Sequence, residues 1–387
     1  MDWHNPAKEN DRVARGGNWI SNGKFELTSS ARAPSAFSGR WDGTGFRVVL
    51  ALPALQSPAS AKIEDGASAF SNQAMLEQDL NKQRKLAESV LSKHGSVIVR
   101  RGSELLTVKR VEKLPPGPIS LSDVDQVTGD FSDDDATLLK SCRELASLRI
   151  HRGSMTQLPL ESLPDLERFE VSQCGITLPA LRGLAGKPRL FQVHIGSTPV
   201  GGRIIDLLTT CPKLERLTLG LLGLTDSDLP PLGRIPRLRY LCLAEKSLTD
   251  TGLSVLTDFP VLDTVEFTWM DFTTVPLAFL PRMRTLSNVS FHWSRIAPPV
   301  CENLAKTPKL VTLTLHDCNI VHGSIRALAA STSLRSLSLS SSAITEASIS
   351  ELTVLTQLNG LDLSDTNITE EGVAALRKAL PNCVVKR

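Results

Sequence analysis

Leu358-Asn-Gly-Leu361-Asp-Leu363, followed by Ser-Asp-Thr366-Asn-Ile368-Thr-Glu-Glu-Gly372-Val373, decides the fold of this 387-residue chain. The first half has period two, so Leu361 and Leu363 share one face of a short strand and Asp362 lies on the other. The second half switches to helical spacing, continued by Leu376 and Leu380. A strand, turn and helix of this size cannot bury their apolar face alone, so units of this kind must stack on neighbours.

The neighbours are in the sequence. The same apolar-x-x-apolar-x-apolar strand begins at Leu145, Leu166, Leu190, Leu214, Leu238, Leu262, Leu286, Leu310, Leu334 and Leu358, with one step of 21 residues and every later step of 24. Leu121-x-x-Val124 reads as a degenerate first strand, and Asn382-Cys-Val-Val385 as a closing half-unit. Strands at about 4.8 Å spacing then make an arc on the order of 50 Å long. The segments after the strands repeat too: Leu224-Thr-Asp-Ser-Asp-Leu229, Leu248-Thr-Asp-Thr-Gly-Leu253 and Ile344-Thr-Glu. In these residues the chain resembles a leucine-rich-repeat protein of the bacterial kind, over residues 116–387. The resemblance implies an α/β solenoid, with a curved parallel sheet inside and helices and 3₁₀ turns outside. Solenoids present extended binding surfaces, which points to interaction before catalysis.

Two irregularities carry expectations of their own. Pro230-Pro231 and Pro298-Pro299 forbid α-helix beyond a first turn, which predicts 3₁₀ or irregular backbone on the convex side at both. Eight places after the first leucine, six units carry Cys174, Thr198, Ser294, Cys318, Ser342 and Thr366, small residues able to bond the backbone where the strand turns. That assigns Cys174 and Cys318 structural roles.

The bulk numbers exclude several classes. Hydrophobic content of 41% and charge of 22% describe a soluble globular chain. A net charge of +2, divided as +5 before residue 115 and −3 after, makes no electrostatic case for nucleic acid or an anionic membrane. The longest apolar stretch, Val48 to Leu55, is too short to span a bilayer, and the first twenty residues read as no signal peptide, so a cytoplasmic location is expected. Seven cysteines, all between Cys142 and Cys383, are an odd count that argues against a disulfide framework. The acidic run Asp133-Asp134-Asp135 reads as a solvated, helix-starting face.

Strand alternation predicts which side chains face solvent on the concave side. Arg149, Arg168 and Arg216 lie toward the N-terminal half, Tyr240 and Glu266 in the centre, and Ser336 and Ser338 toward the end. Trp269 and Trp293 share one repeat position in adjacent units, as do His292 and His316, which aligns two Trp and two His at the rim. Trp, Tyr and Arg are the residues of interface hot spots, so these residues other than Ser336 and Ser338, nine in all, form the candidate protein-binding site. The plainer alternative is that the two indoles cover the end of the core. His292 and His316 near Glu266 and Asp317 invite a zinc site, but three convergent ligands and a metal-type motif are wanting, and neither a metal nor another cofactor is expected.

The N-terminal part differs in kind. Arg12-Val-Ala-Arg-Gly16-Gly17-Asn18-Trp19, then Ser30-Ala31-Arg32, then Gly43-Thr-Gly45-Phe46-Arg47-Val48-Val49 resemble the C-terminal end of formylglycine-generating, sulfatase-modifying-factor domains. Members of that family that oxidise a substrate cysteine carry a cysteine pair that would fall near Ser21 and Glu26, and this chain has no cysteine before Cys142. The organisation expected is a truncated segment of that type over 1–55, a linker over 56–69, a helix and hairpin cap over 70–115 and the repeats over 116–387. In the cap, Asn72 to Lys93 is read as helix, and Ser96–Arg100 and Leu105–Lys109 as strands closing the first repeat's open core. The functional expectation is a non-enzymatic scaffold binding a protein partner through the concave surface. Its rivals are a fragment of a larger formylglycine-generating-type protein whose repeats recruit substrate, and carbohydrate or small-ligand binding at the aromatic rim.

Overall fold

The structure is a computed structural model that describes residues 11–15, 32–36, 66–126 and 129–387. The chain divides into two compact units, Met1–Ser68 and Ala69–Arg387. Of the first, the structure describes two strands, Asp11–Arg15 and Arg32–Ala36, paired antiparallel. The remaining sulfatase-modifying-factor landmarks, and most of the stretch read as a linker, lie outside the described residues.

The second unit is built on one sheet of fourteen strands. Twelve are parallel and follow each other in sequence order from Ser120–Gln126 to Val384–Lys386, so the degenerate first unit and the closing half-unit both supply strands. The register advances by one repeat per strand: Tyr240 pairs with Thr264, Thr264 with Asn288 and Asn288 with Thr312. The leucine columns are buried on one side of this sheet, under a layer of short helices and 3₁₀ turns. Three two-residue strands, Asp271–Phe272, Arg295–Ile296 and Asn319–Ile320, form a second small parallel sheet just beyond the turns.

The two proline pairs behave differently. Pro230–Arg234 is 3₁₀, as the sequence predicts, but Pro298–Ala305 is an α-helix of 8 residues with both prolines in its first turn. The expectation of irregular backbone at Pro298-Pro299 is therefore corrected. Prolines at the first helical positions forgo only N–H groups that have no intrahelical acceptor there. The small residues eight places after each first leucine bond the turn: Ser342 Oγ donates to the Leu315 carbonyl (2.6 Å) and Thr366 Oγ1 to that of Leu363 (2.7 Å). The thiols of Cys174 and Cys318 reach the carbonyls of Ser172 (3.2 Å) and His316 (3.4 Å). Thr198 is the exception, its buried hydroxyl having no partner among the described residues.

All seven cysteines are buried and unpaired. Burial pushes the Cys174 and Cys318 thiols up to about 11, and those of Cys142 and Cys242 up to about 12. The reactive form of a cysteine is the thiolate. Titration with Ellman's reagent is therefore expected to find almost no reactive thiol in the native protein and all seven after denaturation. Rapid native labelling would contradict this packing.

At the N-terminal end of the sheet, the helix Gly66–Ser92 precedes the hairpin Ser96–Arg101 and Glu104–Val108, and the first hairpin strand pairs antiparallel with Ser120–Gln126. The helix starts earlier than the reading of Asn72, and its apolar stripe divides: Leu86, Val90 and Leu91 are buried, whereas Met75 and Leu76 are exposed. Gln83, itself buried, joins helix to repeat by donating to the Ser141 carbonyl and accepting from the Leu121 N–H, both at 2.8 Å.

The acidic run needs a correction. Ser132 caps the helix Asp133–Leu138, but Asp135 is buried, not solvated. Its carboxylate pairs with Lys93 Nζ (2.6 Å) and accepts from Ser89 Oγ (2.5 Å) and the Ser132 N–H (2.9 Å). Burial raises its pKa, but these hydrogen bonds outweigh it and hold the carboxyl below its ordinary value. A depressed folded-state pKa contributes stability above the unfolded-state pKa that is lost as pH falls through the folded value. Asp135→Asn is expected to cost about 2–3 kcal/mol at neutral pH and to flatten the acid limb of the stability profile. Urea melts between pH 7 and pH 3 would check both, and an unchanged acid limb would remove Asp135 from the account.

Candidate functional site

Seven places after its first leucine, each strand must turn sharply away from the sheet. The backbone there takes left-handed φ in nine of the ten units: Arg152, Gln173, Ser197, Leu221, Trp269, Trp293, Asp317, Ser341 and Asp365. Asp accepts that conformation easily, and small polar residues at modest cost. A Leu or Trp there is a genuine outlier, costing of order 1–2 kcal/mol. Trp269 (φ 57°) and Trp293 (φ 48°) are held by ladder bonds from their N–H groups to the carbonyls of His292 (2.9 Å) and His316 (3.1 Å).

The two indoles stay at the surface. Trp269 is 47% exposed and Trp293 52%, with ring centroids 5.5 Å apart. The core beneath is closed without them by Phe267, Phe272 and Phe291, fully buried and packed at 5.1–5.5 Å. The indoles lie outside that closed aromatic cluster, each with about half its surface exposed.

From the indoles a continuous polar chain runs across the open face of the sheet. Trp293 lies 5.8 Å from the His292 ring and 6.3 Å from that of His316, and the two imidazoles are 5.6 Å apart, edge to face. His316 has both nitrogens engaged, Nδ1 with Ser340 Oγ (2.9 Å) and Nε2 with Asp317 Oδ2 (3.2 Å). His292 Nε2 lies 3.6 Å from Glu266 Oε1, and the other oxygen of Glu266 accepts from the Tyr240 hydroxyl at 2.7 Å. The Arg216 guanidinium covers the Tyr240 ring at 4.2 Å. Burial, with Cys242 and Glu266 close by, drives the phenol's pKa well above its ordinary value, so Tyr240 is a permanent donor to Glu266. Among the described residues no three His, Cys, Asp or Glu converge as a metal-holding cluster.

Seven of the nine candidate residues thus form one surface: Arg216, Tyr240, Glu266, Trp269, His292, Trp293 and His316. Arg149 and Arg168 stand apart on the second and third parallel strands. Arg149 is spent on Asp125 (2.5 Å), and Arg168 lies over Phe191 at 5.5 Å. At about 4.8 Å per strand, five strand spacings separate Arg149 from the Trp269 unit, roughly 24 Å.

The turn column holds residues that strand alternation alone passes over. Leu221 is 43% exposed and continues the ridge, while the intervening Glu245 breaks it. Glu245 does not take left-handed φ but turns inward to 4% exposure, where Leu222 N–H donates to its carboxylate at 2.5 Å and those of Leu224 and Gly223 are also directed at it. Burial still raises its carboxyl above the ordinary value. A groove of about 800 Å³ runs beside the ridge, with Leu221, Trp269, Trp293, Lys246, Asp271 and Arg295 among its lining. The signal was present in the sequence: Leu, Trp and Trp interrupt a column otherwise of polar residues.

Twelve parallel strands in sequence order, a repeat-long register and buried leucine columns on one face settle the architecture. The fold is a leucine-rich-repeat solenoid. Among solved structures it is similar to an internalin of Listeria monocytogenes, at 18% identity over 80% of this chain and 96% of that one, with a TM-score of 0.43. It is also similar to a leucine-rich-repeat protein of Leptospira interrogans, at 15% identity over 68% of this chain and 82% of that one, with a TM-score of 0.35. No protein-family model matches the sequence, and no curated protein matches it. The likeness of the N-terminal segment to a sulfatase-modifying factor finds no support in these comparisons. Among the described residues of the solenoid, no helix is long and apolar enough to cross a membrane.

Proposed function

We propose that this solenoid is a non-catalytic scaffold that docks a protein partner through the open face of its sheet. The contact centres on Tyr240, Glu266, Trp269, His292, Trp293 and His316, with Arg216 at its margin. One observation carries the reading. Two tryptophans are held half-exposed, side by side, in a backbone conformation that disfavours bulky residues, above a core that is already closed. Strain of that kind persists where function uses it, and exposed aromatic pairs are the anchors of interface hot spots. The polar chain behind them is pre-organised by its own hydrogen bonds, so little side-chain entropy remains to be lost on binding.

The test is capture by cross-linking from the source organism's lysate, with the full chain as bait beside its Trp269→Ala/Trp293→Ala variant. A protein recovered by the wild type and absent from the variant is the expected result. Recovery of the same proteins by both baits would overturn the assignment of this surface.

A further inference from the structure

On the docking reading above, we propose that His292 and His316 are a proton switch for this face, which docks its partner with both imidazoles neutral and releases it as they become charged. The fold fixes the pair. The two residues are register partners on adjacent strands, with ring centroids 5.6 Å apart, edge to face, and the Trp293 ring lies against both. Imidazole is the side chain whose charge changes between pH 5 and pH 8. Two like charges this close oppose each other, so the second proton is harder to add than the first, and the rings titrate as one coupled unit.

The groups that face the pair leave the two protons uncompensated. On the side of the strand Thr264–Thr268, Thr268 is the register partner of His292, and Glu266 lies 3.6 Å from His292 Nε2, with one oxygen already taken by Tyr240. The strand beyond offers Tyr240 and Cys242, and burial raises the pKa of both, so they stay neutral. On the other side His316 meets Ser340 Oγ and Asp317. A hydroxyl can donate or accept and a carboxylate accepts, so this ring keeps both contacts whether or not it is charged. Beyond the indoles the groove adds Lys246, Asp271 and Arg295. With neutral imidazoles these fixed charges cancel, Arg216, Lys246 and Arg295 against Glu266, Asp271 and Asp317. Protonation of the pair then leaves two positive charges without a counterpart.

The sign follows from what docking changes. The side chains of His292 and His316 are only 23% and 35% exposed in the free protein, and a partner seated on the indoles covers them further. Burial disfavours the charged form of an imidazole. The contacts with Trp293, Glu266 and Asp317 exist before docking as well as after it, so they do not offset that cost. The docked state therefore holds fewer protons than the free one, and by linkage the affinity falls as the pH falls.

Imidazole NMR on the full chain between pH 8 and pH 5 would test the pair without any partner. The rings are expected to titrate in two overlapping steps. His292→Gln or His316→Gln should leave the other ring a single step, at higher pH than its course in the wild type. Rings that are each unmoved by replacement of the other would overturn the coupling. Photo-cross-linking capture from the source organism's lysate at pH 7.5 and pH 5.5 would test the sign. The protein whose capture at pH 7.5 depends on Trp269 and Trp293 is expected to be recovered at least about tenfold less at pH 5.5, inside the limit of about tenfold per pH unit for each imidazole. Each single Gln variant should show a smaller fall between the two pH values than the wild type. Equal or greater recovery at pH 5.5, or the same fall in both variants as in the wild type, would overturn the switch. The docking reading fails separately. If no protein recovered at pH 7.5 depends on the two tryptophans, that reading falls and its regulation with it, whereas a Trp-dependent partner indifferent to pH removes the regulation alone.

Discussion

Replacing Trp269 and Trp293 together by Asn is expected to abolish partner binding while leaving the solenoid nearly as stable as before. Each indole exposes about half its surface and sits at left-handed φ, where Asn is several-fold better tolerated than Trp. Relief of that strain returns about 1–2 kcal/mol per site. Against it stand the lost ring–ring contact, about 0.5–1.5 kcal/mol, and the apolar area each ring still buries. The two sides nearly cancel, and the double variant should unfold in urea within about 2 kcal/mol of the wild type. Indoles closing a core would behave otherwise, since emptying such sites costs about 3–5 kcal/mol each. Binding should move the opposite way. Two central anchors worth about 2 kcal/mol or more apiece weaken the complex roughly a thousandfold. A variant that is severely destabilised would return the pair to a structural role, and one that binds unchanged would move the interface elsewhere.

Glu245→Ala is expected to cost the solenoid several kcal/mol for the loss of one buried carboxylate. Its buried carboxylate receives the Leu222 N–H, with those of Gly223 and Leu224 directed at it, and Gly223 holds φ at +74° to aim the loop. Removing the acceptor leaves the N–H groups of the buried Leu222 and Leu224 without it, a cost of about 2–4 kcal/mol. The pH dependence has a definite sign. Burial raises the folded-state pKa of Glu245, so its contribution to stability is full below the unfolded-state pKa and declines as pH rises through the folded value. That slope should vanish in Glu245→Gln, which retains an acceptor oxygen. Because the same loop bears Leu221, Glu245→Ala should also loosen that residue's place in the groove lining and weaken binding, with Trp269 and Trp293 untouched. Urea titrations of both variants across pH 4–8 are the measurement, and a change below about 0.5 kcal/mol in Glu245→Ala would mean that the loop finds other acceptors.

Much of this molecule was legible before its coordinates. A repeat of 24 residues with leucines at constant offsets leaves one way to bury all of them, and the twelve strands follow from counting. The alignment of Trp269 with Trp293 and of His292 with His316 is the same arithmetic applied to polar positions. Local spacing was a poorer guide where long-range partners decide. Asp135 looks solvated in a run of three acids, but Lys93, 42 residues away, and Ser89 draw it inside. Pro298-Pro299 looks disruptive, but a first-turn position makes the pair harmless.

By itself, then, the amino-acid order determined the architecture and the neighbours on its open face, because stacking copies the repeat register from one turn to the next. Only the tertiary structure decided which members of the turn column stand out and which turn in. That choice depends on local φ and on which backbone N–H groups remain unsatisfied, quantities that repeat spacing does not carry. Hence Glu245 turns inward where the sequence shows another polar residue, and Arg149 and Arg168, the second in the same frame as Arg216, are set apart from the site by distance and by prior partners.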